Sequence, residues 1–447
     1  MIGETTGAQE RSAAGAGGRT SAPRAHAALR EEAPRSDALT ISLLLCGNVM
    51  GYLDRAAFAV AAPLMAAELH LGAFQLGWLL GAFSIGYAAM TYFGGVATDR
   101  FGPGWVIAAS AATWSLFCGL TAAPVALWAL LGVRALFGAA EAPYLPAVNA
   151  IVSATTPPER YSGRLALISA GQPIGGLLAG PVVGGIALGY GWRAAFLVIA
   201  ALGLGWAALW TARLRRAPRS TGARPPVGTP GRSAGRGSVF SQCLRSPAIV
   251  AVALAYFGFA YILFFLLSWF PTYLVRGLGV TMESMSRVST APWALGIAGL
   301  LGGGVLVNRL QRRPWGAVSG RKVVLSGSLA VAGGAVGAIA FTDDVAAVLA
   351  LMSVATFCIY LSGTCYLGLV RELVQARFRG TASGFVLCGS SLAGVFAPTI
   401  TGTIVEVTES YDAAFLVAGA IAVAGALAIQ ALVRGSGAVS EGLRAGP

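Results

Sequence analysis

The chain has 447 residues, of which 56% are hydrophobic and only 11% are charged, whereas an ordinary globular protein carries about 25% charged residues. So few charges cannot cover the surface of a water-soluble protein of this length, so the composition excludes a soluble fold and predicts a chain that lies in a lipid bilayer. The net charge is +13, and its placement along the chain favours a role in membrane topology over binding of nucleic acid.

Residues 1–38 are rich in Gly, Ala, Ser, Pro and Arg and lack an apolar core, so we expect a disordered cytoplasmic tail. Twelve apolar stretches follow, each long enough to cross about 30 Å of hydrocarbon as an α-helix. They lie at 39–67, 73–97, 105–123, 125–153, 165–189, 193–212, 247–275, 288–308, 323–342, 345–370, 380–404 and 412–433. The predicted fold class is an all-α membrane protein with twelve transmembrane helices.

A stretch rich in Arg, Gly, Pro and Ser separates helices 6 and 7 and is interpreted as a cytoplasmic linker, residues 213–246. It divides the chain into an N-terminal six-helix bundle, 39–212, and a C-terminal six-helix bundle, 247–433. A second cytoplasmic tail, 434–447, follows.

The two halves repeat each other in sequence. Gly95-Val-Ala-Thr-Asp99-Arg100 after helix 2 recurs 209 residues later as Gly304-Val-Leu-Val-Asn308-Arg309, and Ala194-Ala-Phe-Leu197 recurs 219 residues later as Ala413-Ala-Phe-Leu416. Such internal repeats predict two pseudo-repeated bundles with a substrate site between them near the middle of the membrane.

The basic residues predict the orientation of the chain. With a cytoplasmic N-terminus, 26 of the 31 basic residues fall on the cytoplasmic side and three on the other, namely Arg193, Arg276 and Arg287; Arg55 and Arg134 lie within helices. By the positive-inside rule we expect both termini in the cytoplasm.

Four charged residues lie at membrane depth: Asp54 and Arg55 on helix 1, and Arg134 and Glu141 on helix 4. Each costs about 2.5–3.5 kcal/mol at a helix centre if it is unpaired, so we expect them to face the interior and to compensate one another. Arg134 and Glu141 are seven residues apart, almost two helical turns, and we predict a conditional ion pair between them.

Two carboxylates and two guanidiniums in one cavity can bind a proton and an anion at the same time. Arginine binds carboxylate or phosphate but does not give up its proton, which leaves Asp54 and Glu141 as the deep proton sites. A static network that only fixes helix packing is the alternative interpretation.

The motif Gly95…Asp99-Arg100-Phe-Gly102 and the two-half organisation resemble the major facilitator superfamily. Within it, Gly51-Tyr52-Leu-Asp54-Arg55 on helix 1, the run Arg134–Pro146 on helix 4 and Gly191-Trp192-Arg193 before helix 6 resemble the anion:cation symporter family of organic-anion porters. That resemblance covers about residues 40–433 and implies transport of organic anions such as galactonate or hexuronates by alternating access.

The resemblance also implies roles for individual residues. The helix 1 aspartate and helix 4 glutamate of that family bind protons, which corresponds to Asp54 and Glu141. The implied substrate contacts and candidates are Arg55, Arg134, Tyr52, Tyr87, Gln172, Ser391 and Trp269. Asp99 and Arg100 lie at a helix end, where we expect a state-dependent gating salt bridge.

Two departures from the family pattern leave alternatives open. Helix 11 reads Gly384-Phe-Val-Leu-Cys-Gly-Ser-Ser391, without the asparagines of many sugar-acid porters, which favours a less hydroxylated, aromatic or small carboxylate. The run Gly176–Gly185 on helix 5 resembles the motif of proton-coupled drug antiporters, so efflux of hydrophobic compounds is the alternative function. Close helix packing through small residues also accounts for this run.

We therefore predict proton-coupled uptake of a small organic carboxylate by a monomer in the bacterial inner (plasma) membrane. The expected partners are the organic anion, protons and the lipid bilayer, without nucleic acid, cofactor or metal. The sequence contains no Walker loop, dinucleotide fingerprint or catalytic-triad spacing, so we do not expect an enzyme.

Overall fold

A computed structural model of the chain describes residues 38–123, 126–216, 243–311, 316–374 and 379–433. The two predicted tails, apart from Ala38, and most of the predicted linker lie outside these residues. Within them, twelve helices are long and apolar enough to span a membrane, as predicted. They are α1 Ala38–Glu68, α2 Ala73–Phe101, α3 Pro103–Leu120, α4 Leu127–Thr155, α5 Gly163–Tyr190, α6 Trp192–Arg216, α7 Pro247–Ser268, α8 Met282–Val307, α9 Val318–Phe341, α10 Val345–Leu373, α11 Ala382–Thr408 and α12 Asp412–Leu432.

Prolines interrupt two of the helices next to functional candidates. In α4 the first helical part ends at Glu141 and the second begins at Tyr144, with Pro143 between them. In α5 a π-helical turn, Gly180–Gly184, contains Pro181. Proline removes a backbone donor and clashes with the preceding turn, so such breaks are expected where it occurs inside a helix.

The packing of the helices repeats as the sequence does. In the first half α1 packs on α5, α2 on α4 and α3 on α6. In the second half α7 packs on α11, α8 on α10 and α9 on α12. Each pairing recurs six helices later, so the sequence repeat corresponds to a repeat in three dimensions.

The two halves meet along α2 and α11 and along α5 and α8, which are also equivalent under the repeat. We call the end of the bundle where α1 begins and α12 ends the inner end, and the opposite end the outer end. The contacts between α2 and α11, which we call the outer seam, run from the middle of the bundle to the outer end.

Glycine allows a close approach of the backbones in the outer seam. A Cβ atom at Gly77 of α2 would lie 2.7 Å from the carbonyl oxygen of Pro398 on α11, so a larger residue there requires the helices to separate. Nearer the outer end, the backbone N–H of Phe74 donates to Oε2 of Glu406 at 3.2 Å. A carboxylate at a helix N-terminus is favourably placed, and here it joins the two halves.

The contact between α5 and α8 involves the run that resembles an antiporter motif. Gly176 faces the indole ring of Trp293, and Gly180 and Gly184 face Ser286. Small residues therefore let α5 and α8 approach closely, which is the packing interpretation of this run.

The inner end lacks such contacts at the repeated glycine motif. A Cβ atom at Gly95 or at Gly304 would meet no atom within 4 Å among the described residues, and Asp99 is exposed. The halves are thus packed together at the outer end, whereas neither glycine of this motif contacts the other half within the described residues.

Candidate functional site

The four membrane-embedded charges lie on the facing sides of α1 and α4. Arg55 donates from Nε to Oε1 of Glu141 at 2.9 Å and from a terminal nitrogen to the same oxygen at 2.6 Å. The side chains of the pair are only 11% and 6% exposed, respectively. Gly51 lies one turn before Arg55, where a Cβ atom would come within 3.1 Å of Glu141 Oε1, so this glycine makes room for the carboxylate.

The predicted conditional pair of Arg134 with Glu141 is not formed in this state, because Glu141 is held by Arg55. The seven residues between Arg134 and Glu141 place them almost two turns apart on one helix. Arg55 reaches Glu141 from the neighbouring helix instead. Sequence spacing alone does not contain the rotation and depth of α1 relative to α4 that decide this choice.

Arg134 is surrounded by aromatic rings. Its guanidinium carbon lies 4.3 Å from the centroid of Phe58, 5.2 Å from that of Phe137 and 5.7 Å from that of Phe83. Cation–π contacts with these rings offset part of the cost of its burial. Its Nε is buried and has no hydrogen-bond partner in the described part of the chain, so Arg134 keeps a donor free.

Arg55 is enclosed in a similar way. Its guanidinium carbon lies 5.0 Å from the ring centroid of Tyr52, 4.7 Å from that of Phe83 and 4.8 Å from that of Tyr87. Phe83 therefore lies next to both guanidiniums. The structure thus brings the predicted residues Tyr52 and Tyr87 to Arg55, and it adds Phe83, which sequence reasoning missed.

Asp54 is the most deeply buried of the four charges, with 1% of the residue exposed. Neither of its carboxyl oxygens has a hydrogen-bond partner among the residues described by the structure, and the same holds for Oε2 of Glu141. Asp54 lies close to the charges of Glu141, Arg134 and Arg55 and near the indole N–H of Trp114, which likewise has no hydrogen-bond partner among those residues. A change of charge at Asp54 therefore changes the electrostatic energy of the Arg55–Glu141 ion pair.

A narrow cavity connects the charges to the second half. It is lined by Arg55, Ser84 and Arg134 from the first half and by Phe264, Ser268 and Pro398 from the second, together with Leu80, Phe83 and Leu267. Both guanidiniums reach this cavity. Glu141 reaches it only through Arg55, and Asp54 is not among its lining residues.

The remaining predicted substrate contacts have different surroundings. Gln172 is partly buried on α5, next to Gly171, which packs on Asn48 and Val49 of α1. Trp269 lies at the outer end of α7, where its indole N–H donates to the carbonyl oxygen of Pro398 at 3.0 Å. The structure thus places Trp269 in a packing contact with α11.

On α11 the hydroxyl that meets an aromatic residue belongs to Ser390, one residue before the predicted Ser391. Ser390 lies near the side chain of Tyr256 on α7; both Ser390 and Ser391 are partly buried. The sequence shows that α7 is rich in aromatic residues, but it does not show which serine of α11 faces them. Neighbouring residues of a helix point about 100° apart, so Ser390 and Ser391 face different surroundings.

Asp99 and Arg100 are both exposed at the inner end of α2. The ion pairs within the described ranges do not include them, and the Arg100 guanidinium lies 5.4 Å from the ring of Phe101. The gating salt bridge is thus not formed in this state, and its formation in another state stays a prediction.

Comparison with known proteins connects this architecture to a family. A family model described as Major Facilitator Superfamily matches residues 44–320. The hexuronate transporter of Bacillus subtilis (strain 168) is 35% identical over 396 residues, which cover 88% of this chain and 94% of that protein. A probable sulfoacetate transporter of Cupriavidus necator is 28% identical and covers 85% of this chain and 90% of its own length.

Solved structures share the fold. A bacterial homologue of the human lysosomal transporter Spinster, in an inward-facing and occupied conformation, superimposes with a TM-score of 0.72 at 18% identity, covering 88% of this chain and 96% of its own. The nucleoside transporter NupG superimposes with a TM-score of 0.68 at 15% identity, covering 88% and 98%.

Proposed function

The chain belongs to the Major Facilitator Superfamily and is a multi-pass membrane transporter, and on this basis we propose that it takes up a sugar-acid monoanion of the hexuronate class together with protons. The 35% identical relative is a hexuronate transporter, and a 28% identical one is a probable L-galactonate transporter of Escherichia coli (strain K12), covering 88% of each chain. Substrates of this class combine one carboxylate with several hydroxyls.

One observation carries this proposal: the guanidinium of Arg55 is occupied by Glu141 while it lines, with Arg134, a cavity shared by both halves. A substrate carboxylate competes with Glu141 for the same donors, since arginine pairs with carboxylates through charge-assisted hydrogen bonds. Protonation of Glu141 weakens its hold on Arg55 and leaves both guanidiniums for the substrate. Binding of the anion and of the proton therefore favour each other.

Asp54 supplies a second proton site in this scheme. An ionised carboxylate without hydrogen bonds in a dry interior is costly, whereas a neutral carboxyl is tolerated at a much smaller cost. Its electrostatic interaction with Glu141 and both arginines couples its protonation to theirs. We assign proton coupling to Asp54 and Glu141, and binding of the carboxylate to Arg55 and Arg134.

The closed outer seam, together with an inner glycine motif that lacks contacts among the described residues, corresponds in this proposal to the inward-facing state. After release of substrate and proton, Glu141 ionises and recaptures Arg55. Rocking of the two halves then exposes the site to the outside, where protons and substrate bind again. The proposal includes an inner end that faces the cytoplasm of a bacterium, as the arginine distribution predicts, and a monomeric carrier.

Substitution Glu141→Gln tests the coupling. Glutamine mimics the protonated glutamate permanently, so we expect vesicles with this variant to exchange galacturonate across the membrane but not to accumulate it under an inwardly directed proton gradient. Wild-type vesicles should do both. Glu68→Gln is the matched control, since Glu68 pairs with Arg193 at the outer end and away from the cavity; it should retain accumulation.

Unchanged accumulation in Glu141→Gln would contradict the assignment. The same vesicles distinguish uptake from efflux, because a symporter moves substrate in the direction of the proton gradient and an antiporter moves it in the opposite direction. The packing of Gly176 and Gly180 on α8 accounts for the motif that suggests efflux, which is why we favour uptake.

A further inference from the structure

The first half contributes every charged residue of the proposed site, so recognition by the second half depends on uncharged groups. A ligand shifts a conformational equilibrium only through a difference in affinity between the states. A substrate that drives the rocking of the halves must therefore contact both of them. The second half offers hydroxyl groups and aromatic rings on α7, α10 and α11.

Tyr360 of α10 has a hydroxyl group that pairs with none of the described residues. A Cβ atom at Gly296 of α8 would lie 2.9 Å from its ring, and 5% of the residue is exposed. Its buried hydroxyl has no hydrogen-bond partner among the residues that the structure describes, although buried polar groups are nearly always paired. Gly296 lies one turn after Trp293 on α8, and the indole of Trp293 faces Gly176 of α5. The neighbouring Gly175 packs on Tyr52 of α1, which itself contacts Arg55, so this contact between the halves connects Tyr360 to the site.

Tyr256 of α7 presents a fixed aromatic ring to the same region. It stacks on Phe259 with centroids 5.4 Å apart and meets the edge of Tyr366 at 5.0 Å. Phe259 and Tyr366 also contact each other at 5.4 Å, so the three rings support one another. Tyr256 lies eleven residues, about three helical turns, before Leu267 on the same helix, so the two side chains face the same side of α7. Leu267 lines the cavity that Arg55 reaches.

We propose that Tyr256 and Tyr360 determine specificity from the second half, and that they select a sugar acid in its ring form over an open-chain one, a selectivity that rests on the proposed function. The carboxylate binds Arg55 and Arg134. The sugar ring then lies between Tyr52 on one side and Tyr256 and Tyr360 on the other. A tyrosine hydroxyl both donates and accepts hydrogen bonds, as a sugar hydroxyl does.

The chemistry of the second half matches a ring better than a chain. A pyranose has a rigid face of C–H groups that packs on an aromatic ring, whereas an open-chain aldonate must immobilise several rotatable bonds to bind. An extended polyol also needs donors and acceptors along its whole length. The α11 segment Gly384–Leu392 has two serines and no asparagine or glutamine to provide them.

The first test is Tyr360→Phe, which removes one hydroxyl and keeps the ring. We expect KM for galacturonate uptake to rise about tenfold, the effect of one lost hydrogen bond, with kcat unchanged. The matched control is Tyr273→Phe, a buried tyrosine of the same half that packs on Tyr411 and Phe415 at the outer end; its KM should not change. A wild-type KM in Tyr360→Phe overturns the role of this hydroxyl.

The second test compares galacturonate with open-chain galactonate. We expect wild-type KM to be at least tenfold lower for galacturonate, and Tyr256→Leu to remove most of that preference. Equal KM values for the two compounds in the wild type overturn ring selectivity but leave the proposed function intact. If Tyr256→Leu keeps the wild-type preference, the role of Tyr256 in selectivity is overturned, and the proposed function again stands. If the wild type transports neither compound, the proposed function fails.

Discussion

Arg55 carries two tasks in the proposed cycle, and the geometry of its guanidinium suits both. Its Nε and a terminal nitrogen converge on one oxygen of Glu141, a double contact that a lysine ammonium cannot reproduce. Three aromatic rings enclose the same group. A planar cation is therefore held in one orientation before the substrate carboxylate arrives.

From this we predict that Arg55→Lys lowers the affinity for galacturonate at least tenfold although it preserves the charge. Isothermal titration calorimetry on purified protein measures the dissociation constant. Arg193→Lys changes the same residue type in an arginine–glutamate pair at the outer end, and it should leave affinity unaltered. If Arg55→Lys bound galacturonate as tightly as the wild type, the guanidinium would not hold the carboxylate.

The sequence identifies the four charges because they are rare at membrane depth, but it does not identify their partners. Arg134 and Glu141 share a helix, and so their spacing is known without a structure. The distance from Arg55 to Glu141 depends instead on how α1 and α4 rotate against each other. The same limit applies to Ser390 and Tyr360, whose roles depend on the direction of a side chain rather than on its chemical type.

At the level of helices, the outer seam shows how two elements from different halves define one state. Gly77 lets α2 approach Pro398 of α11, and Glu406 binds the first turn of α2. These contacts exist only while the outer end is closed. In the proposed cycle, their strength therefore sets how much of the population faces inward.

We predict that Gly77→Ala weakens the seam, because the added Cβ lies too close to a backbone oxygen that has little freedom to move. The population should shift toward an open outer end. Spin labels introduced through unnatural amino acids at positions 70 and 409 would report this as a longer mean distance. The control is Gly132→Ala on α4, where a Cβ meets nothing within 4 Å and the distance should not change. If Gly77→Ala gave the same distance as this control, the seam would not determine how often the outer end opens.

Most helix boundaries follow from the sequence, since an apolar stretch in lipid has to be helical to satisfy its backbone. Predicted and observed ends differ by a few residues in most helices. The differences are larger at two ends: α7 is predicted to end at 275 but ends at Ser268, and α8 is predicted to begin at 288 but begins at Met282. Separate short turns follow Ser268 there, including the π-helical turn Tyr273–Gly277. Hydropathy does not register such a break, because the residues on both sides of it are apolar.

At the scale of the whole molecule, the repeat relates the two contacts that join the halves. The pairing of α2 with α11 corresponds to that of α8 with α5, so both close the same end together. Alternating access then requires a second set of contacts at the inner end. Asp99 and Arg100 are available for it, since they are exposed in this state.

We therefore predict that Asp99→Asn leaves the thermal stability of the inward-facing protein unchanged but slows transport at least severalfold. The substitution removes a charge that has no ion-pair partner within the described ranges and that we expect to be paired when the inner end closes. Thermal unfolding and initial rates of galacturonate uptake measure the two effects. Glu283→Gln, at an exposed ion pair on α8, is the control; a wild-type rate in Asp99→Asn would exclude its participation in the gate.

In the ion pair between Arg55 and Glu141, a carboxylate of the protein itself occupies the position proposed for the substrate carboxylate. Another anion binds the Arg55 guanidinium only if it displaces the Glu141 carboxylate. Because Glu141 is part of the same chain, its local concentration at Arg55 is always high. In the proposed cycle a proton on Glu141 removes this competitor, so the anion and the proton bind together. Under the proposed mechanism, substrate that has accumulated inside binds for export only together with a proton on Glu141, which limits its leakage down its own gradient.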